Sequence, residues 1–235
     1  MNEHISSAYD RDLEALQTLV MKMGGMVEDA ILSSAKSLET RDIVLAEKVR
    51  AADKKIDALE EQINEDAARI IALRAPVSKD LRAILTVLRV AANLERIGDY
   101  AKNMAKRTVT LTDMAPIDGS DSALRRMSRE VQEMLKDLLD AYLRRDAVLA
   151  EDVRQRDHDV DQMYNALFRE LLTFMMEDPR NITTCMHLHF VAKNVERMGD
   201  LVTNMAEQVI YLVTGEMPED DRPKGDETAF VGDVD

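Results

Sequence analysis

The sequence predicts an all-α protein built as two pseudo-symmetric three-helix bundles, and three observations predict it. The first is composition: of 235 residues 46% are hydrophobic but only 4% aromatic, with no Trp, eight Gly and five Pro. The bulk is therefore Leu, Ala, Met, Glu and Arg, all good helix formers. The second is a set of long amphipathic stripes lying between the prolines. The third is an internal repeat of both sequence and stripe order.

The first helix is predicted over residues 8–39, where Leu16, Val20, Met23, Val27, Ile31 and Leu38 recur at three, four or seven. Gly24-Gly25 lies inside it as a place where a helix can bend, although the stripe continues on both sides. After Thr40-Arg41-Asp42, with Asp42 as N-cap, a second stripe runs through Leu45, Val49, Ala52, Ile56, Leu59, Ile63 and Ile70. Pro76 ends it, and a third helix is predicted from about Ser78 to Leu111.

The order then repeats. Residues 42–57 (DIVLAEKVRAADKKID) laid over 146–161 (DAVLAEDVRQRDHDVD) agree at nine of sixteen positions, and 93–105 (NLERIGDYAKNMA) over 194–206 (NVERMGDLVTNMA) at eight of thirteen. The offset changes from 104 to 101 around Pro76 and Pro179, where a helix connection tolerates it. An internal duplication follows, with residues 8–112 as the first bundle and 117–214 as the second. Residues 215–235 hold eight acids and two bases without periodicity and are expected to be a disordered acidic tail.

A net charge of −14 is the wrong sign for neutralising nucleic-acid phosphates or lying on an anionic membrane. The single cysteine, Cys185, leaves no internal disulfide and no Cys-based zinc site, as in a reducing compartment. The first residues lack an apolar signal region and no apolar run reaches the ~18–20 residues needed for a membrane span, so a cytoplasmic location is expected.

Four acidic pairs stand at i, i+4, each on one helix face: Asp53 with Asp57, Glu95 with Asp99, Asp157 with Asp161, and Glu196 with Asp200. Asp53 and Asp99, like Asp57 and Glu95, are equidistant from residue 76; Asp157 and Asp200, like Asp161 and Glu196, are equidistant from the Asp178–Pro179 bond. Folding each half as a hairpin at its proline thus gathers four carboxylates at one level, roughly 30 Å from the turn. Glu95 and Asp99 extend the apolar series Leu81, Leu88 and Leu85, Ala92, whereas Asp53 and Asp57 flank their stripe, which predicts a cluster near the bundle surface. In the second half the series is already polar, and Lys193 is placed to pair with Glu196.

Four like charges repel unless a cation intervenes, and an oxygen-only set suits Mg²⁺, Mn²⁺, Ca²⁺ or ferric iron better than zinc. The competing reading is a solvated charged face. Gly98 and Gly199, inside a repeated ExxGD, point to the close approach of another helix or a ligand. Glu60 and Glu61 are expected to be acids outside the cluster. Asn103 and Asn204 suit a helix–helix hydrogen bond, and His4, His158, His187 and His189 are read as satisfied or solvated. No nucleotide loop, nucleophile elbow or HExxH motif marks an enzyme. A binding protein without turnover is expected; a carboxylate-bridged metal-dependent enzyme and a purely structural helical adaptor are the alternatives.

With MGGMVEDA at 23–30, LERIGDYAKNMA at 94–105 and VERMGDLVTNMAEQVIYLVTGE at 195–216, the chain resembles the PhoU family, the accessory and regulatory proteins of bacterial phosphate uptake. The family's acidic metal-binding motifs fall on the eight acids named above. The resemblance implies two three-helix bundles, a cytoplasmic homodimer and negative control of the phosphate-starvation response. It also implies two partners, the ATPase of the phosphate ABC transporter and the sensor histidine kinase of the phosphate two-component system. Where many members carry a histidine after the motif Asp, this chain has Tyr100 and Leu201, so no role passes to that position.

Overall fold

The computed structural model describes residues 2–218, with side chains from Tyr9 onward. It contains six long helices and, among the described residues, no strand. They are α1 Asn2–Thr40, α2 Ile43–Arg74, α3 Lys79–Thr112, α4 Ser120–Arg144, α5 Ala147–Glu177 and α6 Ile182–Thr214, with one 3-10 turn at Pro179–Asn181 before α6. The expected acidic tail falls, from residue 219, outside the described residues.

The turns repeat as the sequence does. At each first turn an arginine adopts the left-handed conformation, Arg41 at φ 52° and Arg145 at φ 53°. An aspartate then caps the next helix: Asp42 accepts from the Leu45 amide, and Asp146 from those of Val148 and Leu149. The second turns differ. The first half uses left-handed Ala75 followed by Pro76, and the second uses Asp178, whose carboxylate accepts from the Arg180 amide to start the 3-10 turn. This is where the repeat offset changes.

Helices α1, α2 and α3 pack on one another, as do α4, α5 and α6; α1 also packs on α4, and α3 on α6. The two bundles therefore share one continuous core. Every residue of the predicted α1 stripe is buried: Leu16, Val20, Met23, Val27, Ile31 and Leu38. Gly24 stands inside an unbroken α1, as the continuing stripe requires. Its role is the crossing with α4, because a Cβ there would run into the Leu139 side chain. Polar ties reinforce the seams: Gln132 of α4 donates to Glu28 of α1 at 2.8 Å, and Arg41 donates to the Met114 carbonyl at 2.8 Å. No helix among the described residues is long and apolar enough to cross a membrane.

Candidate functional site

In the first half, Asp53 of α2 lies level with Gly98 and Asp99 of α3, as the distances from Pro76 require. A Cβ at Gly98 would stand 3.1 Å from Ile56 Cδ1 and 3.7 Å from Asp53 Oδ1, so the missing side chain is what lets α2 come in. Asp53 is 4% exposed. Lys102, one turn beyond Asp99, sends its Nζ to Asp53 Oδ2 at 2.6 Å and to Asp99 Oδ1 at 2.9 Å. These charge-assisted bonds tie α2 to α3 and hold the ammonium pKa well above its ordinary value, mainly through Asp53 and then Asp99. Asp53 Oδ1 is buried and accepts no hydrogen bond.

Asp57 and Glu95 complete the group electrostatically. Both carboxyls are pushed above the usual carboxylate range, first by burial and then by the neighbouring acids: Asp53 acts most on Asp57, and Asp99 most on Glu95. Glu60 adds to both.

The second half gathers the matching residues around a different cation. Lys193, one turn before Glu196, donates to Glu196 Oε1 at 2.7 Å and lies 5.0 Å from the centre of the Tyr164 ring on α5. Glu196 is 6% exposed, and its Oε2 is buried without a hydrogen bond. Burial raises the Glu196 carboxyl pKa, Lys193 opposes this, and Asp200 and Asp161 add to it. Asp161 is itself 8% exposed. The Asp157 carboxylate comes within 3.1 Å of where a Gly199 Cβ would be. Arg154 and Glu207 link α5 to α6 nearby at 3.5 Å.

The structure corrects the placing of the acids in their stripes. On α3 the buried face runs through Ile84, Val87, Ala91, Leu94, Ile97 and Ala101, and Leu85 is 42% exposed; Glu95 and Asp99 border that face instead of continuing it. On α2 the reverse holds, with Asp53 inside the buried stripe between Val49 and Ile56 and only Asp57 outside. Sequence reasoning also missed Lys102, although its spacing of three from Asp99 was a usable signal. Asn204 lines the groove between α3 and α6. His187 Nδ1 lies 3.0 Å from an Arg107 guanidinium nitrogen, and His189 packs on the rings of Tyr164 and Phe168.

Among the described residues, no three His, Cys, Asp or Glu side chains stand close enough to hold a metal ion as they are arranged. Each cluster is instead closed by its lysine. The donor chemistry still suits a hard cation, since all the ligands are carboxylate oxygens and one of them in each cluster, Asp53 Oδ1 and Glu196 Oε2, is buried with no hydrogen-bond donor among the described residues. A metal entering the first cluster would compete with the Lys102 ammonium for Asp53 and Asp99.

The chain matches the PhoU domain family twice, over residues 20–108 and 124–209, one match in each half of the duplication. It is 44% identical over 231 residues to the phosphate-specific transport system accessory protein PhoU homolog of Rhizobium meliloti, covering 98% of both chains. Its identity to the protein of that name from Caulobacter vibrioides is 45% over 226 residues, 96% of this chain and 98% of that one. The crystal structure of PhoU from Pseudomonas aeruginosa superposes with a TM-score of 0.86 at 38% identity, over 88% of this chain and all of the other. That of the phosphate transport system regulatory protein PhoU from Streptococcus pneumoniae gives 0.83 at 28% identity, over 90% and 99%. With two family matches covering most of the chain and relatives aligned over nearly their whole length, the chain belongs to the PhoU family.

Proposed function

We propose that this protein is a non-enzymatic regulator of phosphate uptake and a negative regulator of the phosphate-starvation response. It acts in the cytoplasm as a homodimer, by binding the ATPase of the phosphate ABC transporter and the sensor histidine kinase of the phosphate two-component system. The observation that carries this reading is the 44% identity to the Rhizobium meliloti accessory protein over 98% of both chains. With so little of either chain left over, the relative's function need not depend on a domain missing here.

The two acid clusters are the proposed cation sites. Asp53, Asp57, Glu95 and Asp99 would hold one ion, and Asp157, Asp161, Glu196 and Asp200 another, with Mg²⁺, Mn²⁺ or ferric iron favoured over zinc by the oxygen-only donors. The ion supplies positive charge that relieves the carboxylate repulsion. The chain's own contribution is to fix α2 against α3, and α5 against α6, at the level where those carboxylates meet.

The test combines genetics and capture. Deleting the gene should derepress phosphate-starvation genes in phosphate-rich medium, and the tagged protein should recover the transporter ATPase and the sensor kinase from phosphate-replete cells. An unchanged starvation response together with recovery of neither partner would overturn the regulatory reading.

A further inference from the structure

The α3–α6 seam carries a chemistry that the acid clusters do not use. Although the chain bears a net charge of −14, the outer edge of this seam is lined by arginines that form no ion pair among the described residues. Arg82 donates to the Tyr211 carbonyl and stacks over the Tyr211 ring at 4.9 Å. Arg89 donates to Gln208 Oε1 at 2.6 Å. Arg107 lies 4.4 Å over the Phe190 ring. One heptad on from Arg89 and one back from Asn204, Arg96 and Arg197 are exposed and make no ion pair among the described residues. Between the helices an open groove of about 310 Å³ is lined by Arg89, Ala92, Asn93, Asn204, Glu207 and Gln208. Its one acid, Glu207, is paired with Arg154.

The chain itself turns toward this groove. α6 ends at Gly215, at φ 90°, beside the Arg82 guanidinium. Thr214 Oγ1 then accepts from the Glu216 amide, and Met217 Sδ comes within 4.0 Å of Gln208 Nε2, so the chain leaves α6 on the side that carries Gln208. The remaining residues, 219–235, contain seven acids and two bases, with Phe230-Val231 near their end. At the far end of the seam Met186 and Phe190 are exposed on α6, 39% and 46%. Helix rise puts Phe190 about 27 Å along α6 from Gln208. The twelve residues from Pro218 to Phe230 can span up to ~40 Å, which is enough.

We propose that residues 219–235 dock on the α3–α6 seam of their own chain. Their acids lie along Arg89, Arg96 and Arg197, and Phe230 covers the apolar surface at Met186 and Phe190. Docked in this way, the segment shields a basic stripe on an acidic protein and competes there with any acidic partner. This goes beyond the regulatory reading, which stands or falls separately.

The experiment places a spin label on Ala229→Cys in the full chain, since Cys185 is fully buried, and reads amide broadening by NMR. The amides of Ala92, Asn93 and Asn204 should lose most of their intensity, while those around Gln162 on α5 keep theirs. The effect should disappear at 1 M salt, where the screening length is about 3 Å. It should also disappear in Arg89→Glu/Arg96→Glu/Arg197→Glu, and in Asp220→Asn/Asp221→Asn/Glu227→Gln, which leaves the bundle untouched. Uniform broadening, or seam broadening that survives both charge variants, would overturn the proposal. So would broadening seen only when label and isotope are on different chains, which would give the seam to a second copy.

Discussion

The two halves began as one sequence and meet the same electrostatic problem with different lysines. Lys102 follows its motif aspartate by three residues and reaches across to Asp53 on α2. Its counterpart in the second half is Thr203, buried and bonded to the Gly199 carbonyl. There the cation is Lys193, three residues before the motif glutamate, and its counterpart in the first half is Ala92. The lesson is that duplication preserved the level at which carboxylates gather but not the position of the positive charge. The carboxylates are fixed by hairpin geometry, whereas a long lysine reaches the same spot from either end.

Metal affords the strongest way to break the comparison. If the first cluster binds a cation, the ion competes with Lys102, so Mn²⁺ or Mg²⁺ should stabilise Lys102→Met more than the wild type. A site filled to a hundred times its dissociation constant contributes about 2.7 kcal/mol. Thermal melts with and without cation check this, with Asp53→Ala/Lys102→Met as the control that should lose the effect. No cation effect in either protein would return these acids to a charged helix face.

Without metal the same substitution should be harmful. Losing one partner of a fully buried pair costs about 3–5 kcal/mol. Lys102 is 39% exposed, so Lys102→Met should lose less, about 2 kcal/mol or about 4–8 °C in Tm. Lys193→Met should lose a comparable amount, because Lys193 bonds the buried Glu196 and also lies over the Tyr164 ring of α5. A Lys193→Met loss near zero in urea melts would mean that only the first cluster depends on its lysine.

The paired motif glycines sharpen the comparison at smaller amplitude. A Cβ at either would meet a neighbour at 3.1 Å, but the neighbours differ: buried Ile56 at Gly98, and the partly exposed Asp157 carboxylate at Gly199. Alanine gains up to about 1 kcal/mol of helix propensity over glycine. The Asp157 carboxylate, at the end of a partly exposed side chain, has only to give by a few tenths of an ångström to let that gain appear, whereas Ile56 is packed on all sides. Gly199→Ala should therefore melt no lower than wild type and Gly98→Ala lower by about 1 kcal/mol.

The fold was readable from the sequence because its signals are local or periodic. The Asp42 cap, the α1 stripe and the turn at Pro76 all appear where composition and spacing put them. The level of the acids was readable too, since a hairpin makes register a matter of counting. What counting could not supply was rotation about each helix axis. A period of 3.6 leaves the border of a stripe uncertain by about one residue, and Asp53 and Leu85 both sit at such borders. Lys102 escaped notice for a related reason: a lysine on an acidic helix reads as surface charge until a second helix brings an aspartate within reach of its Nζ. The crossing of α4 at Gly24 depends on contact between the halves, which no pattern within one half encodes.

The smallest expected effect is a pH dependence that differs between the clusters. In the folded chain Asp57 and Glu95 titrate above the usual carboxylate range. Between the ordinary carboxyl value and the raised one, the folded chain therefore holds more protons than the unfolded chain. Stability contributed by these groups accordingly falls as pH rises through that window, and the full penalty is present at neutral pH. Asp57→Asn removes the repelling charge, so it should stabilise the protein at pH 7, and the gain should fade as pH falls toward about 4. Because Asp57 is largely exposed, solvent screening limits the gain to about a few tenths of a kcal/mol. Glu196 also titrates high, but its charge is the acceptor for Lys193, so Glu196→Gln removes a repulsion and an ion pair together and should give no comparable gain. Urea denaturation at pH 7 and pH 4 separates the two: a gain for Asp57→Asn that persists in acid would mean that the asparagine acts through packing, and that carboxylate repulsion is not what distinguishes the first cluster from the second.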